Sequence, residues 1–313
     1  MPALSPHESV IDLRVPGSAL RAHGPFAPRQ EAALPLGAPE ARIVASGCGG
    51  NVTRLAAPVR TLLELMSHLG TLAMSTRNSA AGLEVRGTYA HVDAEGATTG
   101  GTTRLLTHPE AWAHVFAVRG DSPARPTRRL AVFAADGSAV HEAQIQGAAA
   151  ADAFDGVLAG FVADDQSREL VLRPLHRRAG ERRLEVVRYA RAGQSWEVTL
   201  WSLGALLERA AQGGTKLAIT VGNEGVRHRW GGTLRPTRQA GPWATMLDEG
   251  VRLLVRRELV TQAWVARRYA VGGTVTTLEL FDGDGHAIVV VSALGPRDDA
   301  DWLDLVGSLP RRW

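Results

Sequence analysis

Leu72-Ala-Met-Ser-Thr-Arg-Asn78 and Leu217-Ala-Ile-Thr-Val-Gly-Asn223 are two short apolar runs that each end on an asparagine. What surrounds them repeats as well. Ahead of the first, Leu62, Leu65, Met66 and Leu69 follow the i, i+3, i+4, i+7 spacing of a one-sided helix; ahead of the second, Leu203, Leu206, Leu207 and Ala210 do the same. Behind them, Gly87-Thr88 and Gly232-Thr233 fall at equal intervals, and each copy later carries an Ala-Trp pair, at Trp112 and Trp264. Each copy then has a β-rich run entering an Asp-Gly turn: Leu130-Ala-Val-Phe133 before Asp136-Gly137, and Leu278-Glu-Leu-Phe281 before Asp284-Gly285. Asp-Gly between two such runs predicts a hairpin, because glycine accepts the positive φ the turn demands. Phe154 follows Phe133 at the same interval as Trp302 follows Phe281, on closing helices whose expected N-caps are Asp152 and Asp301.

A duplicated order of helix, several strands and helix, with hairpin connections and no βαβ alternation, predicts an α+β fold. It consists of two tandem structural repeats, each an antiparallel sheet with flanking helices. The expected divisions are an extended or disordered tail at 1–27, an N-terminal repeat at 28–163, an Arg-rich linker at 164–191 and a C-terminal repeat at 192–313.

Composition narrows the function classes. The one cysteine, Cys48, excludes a disulfide framework within the chain and suits a reducing compartment. Pro2, Pro6, Glu8, Asp12 and Pro16 interrupt the start of the chain, and no apolar run approaches bilayer length, so the expectation is a cytoplasmic protein with no membrane span. The net charge is only +3, yet Lys216 is the sole lysine; the cationic side chains are otherwise arginines, whose planar forks suit carboxylates and phosphates. There is no phosphate loop, dinucleotide glycine fingerprint, Cys-x-x-Cys or nucleophile elbow. Gly47-Cys-Gly-Gly50 and Asp282-Gly-Asp-Gly285 read as turns, the latter because a calcium loop would need Glu where Ala293 stands.

Several motifs in one order resemble the haemin-degrading, haem-transport factors of Gram-negative iron-uptake systems. In the second half these are Val221-Gly-Asn-Glu-Gly225, Gly241-Pro-Trp243 with Leu247-Asp248, Ala263-Trp-Val-Ala-Arg-Arg268 and Val275-Thr-Thr-Leu-Glu-Leu-Phe-Asp282. In the first half, Leu36-Gly37 with Ala38-Pro-Glu-Ala-Arg42, Val52-Thr-Arg54 and Thr76-Arg-Asn78 match in sequence. The resemblance implies a cytoplasmic haem-binding protein that receives haem from an ABC importer and passes it to a haem oxygenase, some members opening the ring themselves with O₂ and reductant.

A haem site needs an axial ligand, apolar walls and cations for the propionates. The resemblance implies an axial His in an Asp-Val-His-x-Phe-Phe segment between the halves, and this chain has no such segment. His176, in Leu175-His-Arg-Arg178, is the candidate replacement ligand to the iron; the plain alternative is a solvated linker histidine. Arg183 falls where the resemblance places a haem-contacting Arg, Arg268 where it places a propionate-binding Lys, and Arg104 near a further contact if a short gap is allowed. A Tyr and an Arg of the family pattern are replaced by Ser292 and Gly295, and a wall Phe by Thr220. His141 matches a family His but sits in a strand, where histidines are usually structural; His108 and His114 flank Trp112, and His91, His228 and His286 read as turn or strand-edge residues.

Two function classes follow. The first is a haem carrier, with or without oxidative ring opening, which would also require an open coordination position. The second is a diverged paralogue that keeps the scaffold for protein interaction or regulation. Nucleic-acid binding ranks last, because no aromatic stacking series accompanies the arginines.

Overall fold

The computed structural model describes residues 39–93, 96–99, 103–120, 126–175, 183–191, 193–235, 243–248, 250–270 and 272–312. The tail expected at 1–27 and the candidate ligand His176 lie outside them.

The first repeat begins with α1 (Glu40–Ala45), β1 (Val52–Leu55) and α2 (Val59–Ser67). The two quoted runs form β2 (Leu72–Arg77) and, in the second repeat, β11 (Lys216–Gly222), preceded by α5 (Ser202–Gly213). The predicted helical faces are the buried ones: Leu62 and Met66 on α2, and Leu203, Leu206 and Ala210 on α5. The first repeat continues with β3 (Ala81–Gly87), β4 (Tyr89–Ala90), β5 (Gly96–Thr99), β6 (Thr103–Thr107), β7 (His114–Gly120), β8 (Thr127–Phe133), β9 (Ala139–Gln146) and α3 (Ala148–Leu158). After α4 (Arg183–Arg188) and β10 (Ser195–Val198), the second repeat continues from β11 with β12 (Val226–Thr233), β13 (Trp243–Asp248), β14 (Val251–Arg256), β15 (Gln262–Ala270), β16 (Gly273–Phe281), β17 (Ala287–Ala293) and α6 (Ala300–Gly307).

The α+β class with two antiparallel sheets stands, but neither sheet belongs to one repeat. One runs β1-β7-β8-β9-β2-β3-β14-β13 and the other β10-β15-β16-β17-β11-β12-β6-β5-β4. Each repeat thus lends strands to the other: β14 pairs along β3, with Leu253 opposite Leu83, and β6 pairs along β12, with Leu105 opposite His228. The exchange follows from edge chemistry. Without it β3 and β12 would each present a row of unpaired main-chain groups, and most of β3 is buried. The two sheets' inner faces enclose two cores. One joins α5 and α6 to the second sheet and to Leu83, Val85, Leu253 and Val255; the other joins α2 and α3 to the first sheet and to Tyr89, Ala97 and Leu105.

The paired asparagines hold the exchange in register. Asn78 donates from Nδ2 to the carbonyls of Gly222 (3.1 Å) and Ile288 (2.8 Å), while its Oδ1 accepts from the N–H groups of Ala80 and Ala81. Asn223 does the reciprocal thing, donating to Arg77 O and Val140 O (2.8 Å each) and accepting from Gly225 and Val226. Each side chain therefore shapes its own turn and clasps the other repeat. Both Asp-Gly hairpins form, with Gly137 at φ 84 and Gly285 at φ 81.

Three local expectations are corrected. The closing helices start earlier than Asp152 and Asp301: Gly147 precedes α3, and Asp299 is the cap of α6, accepting from Trp302 N at 2.8 Å. Phe154 and Trp302 do occupy equivalent, fully buried positions on these helices. The two Ala-Trp pairs are not equivalent, because Trp112 precedes β7 whereas Trp264 lies within β15; pairing of His114 with Phe133 and of Gln262 with Phe281 fixes the correspondence. His228 is no strand-edge residue but a buried one inside the second sheet.

Asn223→Ala is expected to destabilise the fold by about 2–6 kcal/mol, because it strands two inter-repeat carbonyls at about 1–3 kcal/mol each. Urea unfolding would measure it; a loss no larger than that of an exposed Asn→Ala would refute the clasp.

Candidate functional site

In an antiparallel ladder, residues directly opposite one another point to the same face. In the second sheet the register aligns Arg104, Arg229, Thr220, Val290, Glu279, Trp264 and Glu197, from β6 to β10, in one row. Their sequence neighbours Ile219, Val221, Val289, Val291, Leu278, Leu280 and Val265 face the core, so this row lies on the outer face. One end is covered by α4, whose Leu184 and Val187 pack on Ala266, Phe281 and Trp264.

Glu279 is the centre of this face. Its residue is fully buried, and its carboxylate accepts from Arg183 through two bonds, Nε to Oε2 and a terminal nitrogen to Oε1, both 2.5 Å. Thr277 Oγ1 donates to Oε1 at 2.6 Å, and the Arg268 guanidinium stands 3.6 Å from the same oxygen. Two cations thus share one anion, which leaves a local excess of positive charge. Burial, and then the neighbouring Arg183, lowers the Arg268 pKa from its ordinary value, as expected where a second cation is under-compensated.

Arg183 and Arg268 are therefore brought together on a carboxylate that the sequence reading did not single out. Arg104 reaches the same face only because its hairpin is exchanged; it stands in the row beside Arg229, with Asp93 at 3.8 Å. Leu175 packs against the first core and Arg183 opens α4; His176 lies outside the described residues. The row itself offers no His, Tyr, Cys or Met as an iron ligand. Glu279 had a signal in the sequence: alternation puts Thr277, Glu279 and Phe281 on one face, opposite Leu278 and Leu280. Arg229, between His228 and Trp230, had none without the topology.

The first sheet's corresponding face is filled from within. There Glu142 takes the place of Val290 and pairs with Arg129 at 2.8 Å, both buried, while α1 covers Phe116, Ala131 and Phe133. Arg77 pairs with Glu40 of α1, one of the bonds being 2.8 Å. Residues 164–175 run along this sheet as well: Arg54 donates to Asp165 and to the carbonyls of Ser167 and Glu169.

A histidine-rich group lies inside, not on the face. His141 Nδ1 is 3.0 Å from Thr76 Oγ1 and its Nε2 is 2.6 Å from Tyr89 Oη; His228 stands edge-on to its ring, and Trp112 stacks on it. Burial pulls His141 down to about 4 and, with His141 beside it, His228 down to about 3. Both are core residues that join β9 to the exchanged strands.

A family model described as the haemin-degrading HemS/ChuX domain matches residues 37–161 and 180–309. The chain belongs to that family. The hemin transport protein HmuS of Yersinia pestis is 24% identical over 289 residues, covering 80% of this chain and 82% of HmuS. Among solved structures, holo-PhuS, a heme-binding protein from Pseudomonas aeruginosa, superposes with a TM-score of 0.84 at 23% identity, covering 91% of this chain and 94% of PhuS. ChuS, an E. coli heme oxygenase, does so at 0.78 and 21%, covering 91% and 96%. The fold of these structures thus extends over most of this chain.

The buried histidines give a sign-definite pH dependence. An unfolded chain protonates them below pH 6.5, whereas the folded protein resists until about 4 and 3, so their stability contribution is full above 6.5 and falls as pH drops through that window. Each contributes a slope of about 1.4 kcal/mol per pH unit there. His228→Leu is expected to flatten the decline in Tm between pH 7 and pH 5; an unchanged decline would show that His228 takes up its proton in the fold as readily as in the unfolded chain.

Proposed function

We propose that this chain binds haem on the outer face of its second sheet and serves haem trafficking and utilisation in iron acquisition. The observation that carries this is the shared carboxylate: Glu279 fixes Arg183 and leaves Arg268 under-compensated, on an outer face that the described residues cover at one end. Haem offers what such a face lacks, an apolar plate with two carboxylates at one edge. HmuS is a hemin transport protein, PhuS is heme-binding and ChuS is a heme oxygenase, and family membership supports the same ligand class here.

On this reading Arg268 holds a propionate by charge-assisted hydrogen bonds, Arg183 steadies the rim through Glu279, and Arg104 closes the face from the exchanged hairpin. His176, in the stretch of chain leading into α4, is the proposed iron ligand. The protein would act in the cytoplasm, taking haem from an ABC importer and yielding it to a haem oxygenase; no helix among the described residues is long and apolar enough to cross a membrane. Carriage requires affinity alone, whereas ring opening would further require an iron position open to O₂.

Haemin titration of the full-length protein should give a saturable Soret shift that His176→Ala displaces or abolishes and Arg268→Ala weakens about tenfold, the loss of one charge-assisted contact. Bleaching of that band under air with ascorbate would add degradation to carriage. A wild-type protein with no saturable shift would leave a scaffold paralogue that binds no haem.

A further inference from the structure

One charge on the outer face is not accounted for by its neighbours. Arg229 sits between His228 and Trp230, both turned inward, and so lies on the outer face with Arg104 and Thr220 directly opposite on the adjoining strands. It is partly buried, and burial lowers its pKa from the ordinary value. Its hydrogen bonds run to neutral main-chain acceptors at the end of β17, Leu294 O at 2.9 Å and Ala293 O at 3.4 Å. Among the described residues no carboxylate forms an ion pair with it. A desolvated cation answered only by carbonyl dipoles costs stability, and a like charge directly across the ladder costs more.

The duplication shows that the fold does not require this. At the equivalent cross-strand position the first sheet sets Glu84 opposite Arg252, a pair of opposite sign, where the second sets Arg229 opposite Arg104. Glu84 faces Ser75 on β2 just as Arg229 faces Thr220 on β11. In the first sheet the residue across the ladder has the opposite sign, although Glu84 Oε2 has no hydrogen-bond partner and burial raises the Glu84 pKa; the second sheet sets two cations across the ladder, the arrangement an anionic ligand favours.

The carbonyls also fix where the charge sits. They hold the Arg229 guanidinium at the end of β17, two strand spacings from β15 and its Arg268, which is about 10 Å at the backbone. Between them the face carries the small side chains of Ser292 and Thr277, directly opposite each other. We propose that Arg229 is a ligand-contacting, specificity-determining residue: Arg229 and Arg268 each take one carboxylate of the tetrapyrrole's acidic edge, and together they select for a charged edge. This rests on the haem reading above.

The test is a pair of Soret titrations, with haemin and with its dimethyl ester, whose edge carboxylates carry no charge. Arg229→Leu is expected to weaken haemin about ten- to hundredfold, the size of a charge-assisted contact, and to leave the ester's affinity unchanged. Arg229→Lys should recover part of the loss, and the ligand-free Tm of Arg229→Leu should not fall. Equal weakening of haemin and ester, or a lowered ligand-free Tm, would make Arg229 structural and overturn the proposal. Unchanged haemin affinity in Arg229→Leu, with saturable wild-type binding, would overturn it while sparing the haem reading. Absence of saturable binding by the wild type would overturn both.

Discussion

The reciprocal asparagine clasp is the constraint on which the other features depend. Asn78 and Asn223 each turn their own chain and each satisfy two carbonyls of the other repeat. An amide side chain has two donors and an acceptor with two lone pairs, and both residues use all of them here. Such a fully satisfied polar junction is directional in a way that apolar packing is not, so it sets the register between repeats. With that register fixed, β3 meets β14 and β12 meets β6, and neither sheet has an unpaired edge at the seam.

From the exchange follows the chemistry of the outer face. A row of residues from β6 to β15 can carry Arg104, Arg229, Glu279 and Trp264 only if a hairpin of the first repeat completes the sheet of the second. The two outer faces have diverged from a common pattern. The first is neutralised internally, by Arg129 with Glu142 and Arg77 with Glu40, and roofed by α1. The second keeps two arginines on one buried carboxylate, with Arg229 and Arg104 farther along the row, and the described residues roof it at one end. Duplication gave both faces the same scaffold, and substitution at a handful of strand positions made one a packed layer and the other a cationic platform.

Much of the architecture was legible in the residues. The two quoted runs, the Asp-Gly turns and the Phe133–Phe154 and Phe281–Trp302 intervals all mark truly equivalent positions, because they report local periodicity and turn chemistry. The Ala-Trp pairs misled, since a shared dipeptide carries no register; only pairing partners show that Trp112 and Trp264 stand at different places. Strand exchange was not legible, because β6 and β14 carry the same alternation whichever sheet receives them. For that reason Arg183 and Arg268 could be named from sequence but their common partner Glu279 could not. Arg229 was missed because the significance of a lone arginine depends on what lies across the ladder. His141 was read as structural, and its buried bonds to Thr76 and Tyr89 place it in the core.

The exchange also bears on how the chain is made. A ribosome delivers residues from the N-terminus onward, so β3 emerges long before β14, the strand that will lie against it. Until residues 251–256 are released, the first sheet is an incomplete layer with Leu83 and Val85 bare and a long edge on offer to any strand that passes. Synthesis of this protein therefore includes an interval, about half of translation and centred on its midpoint, in which a nascent chain must be shielded from its neighbours on the same message.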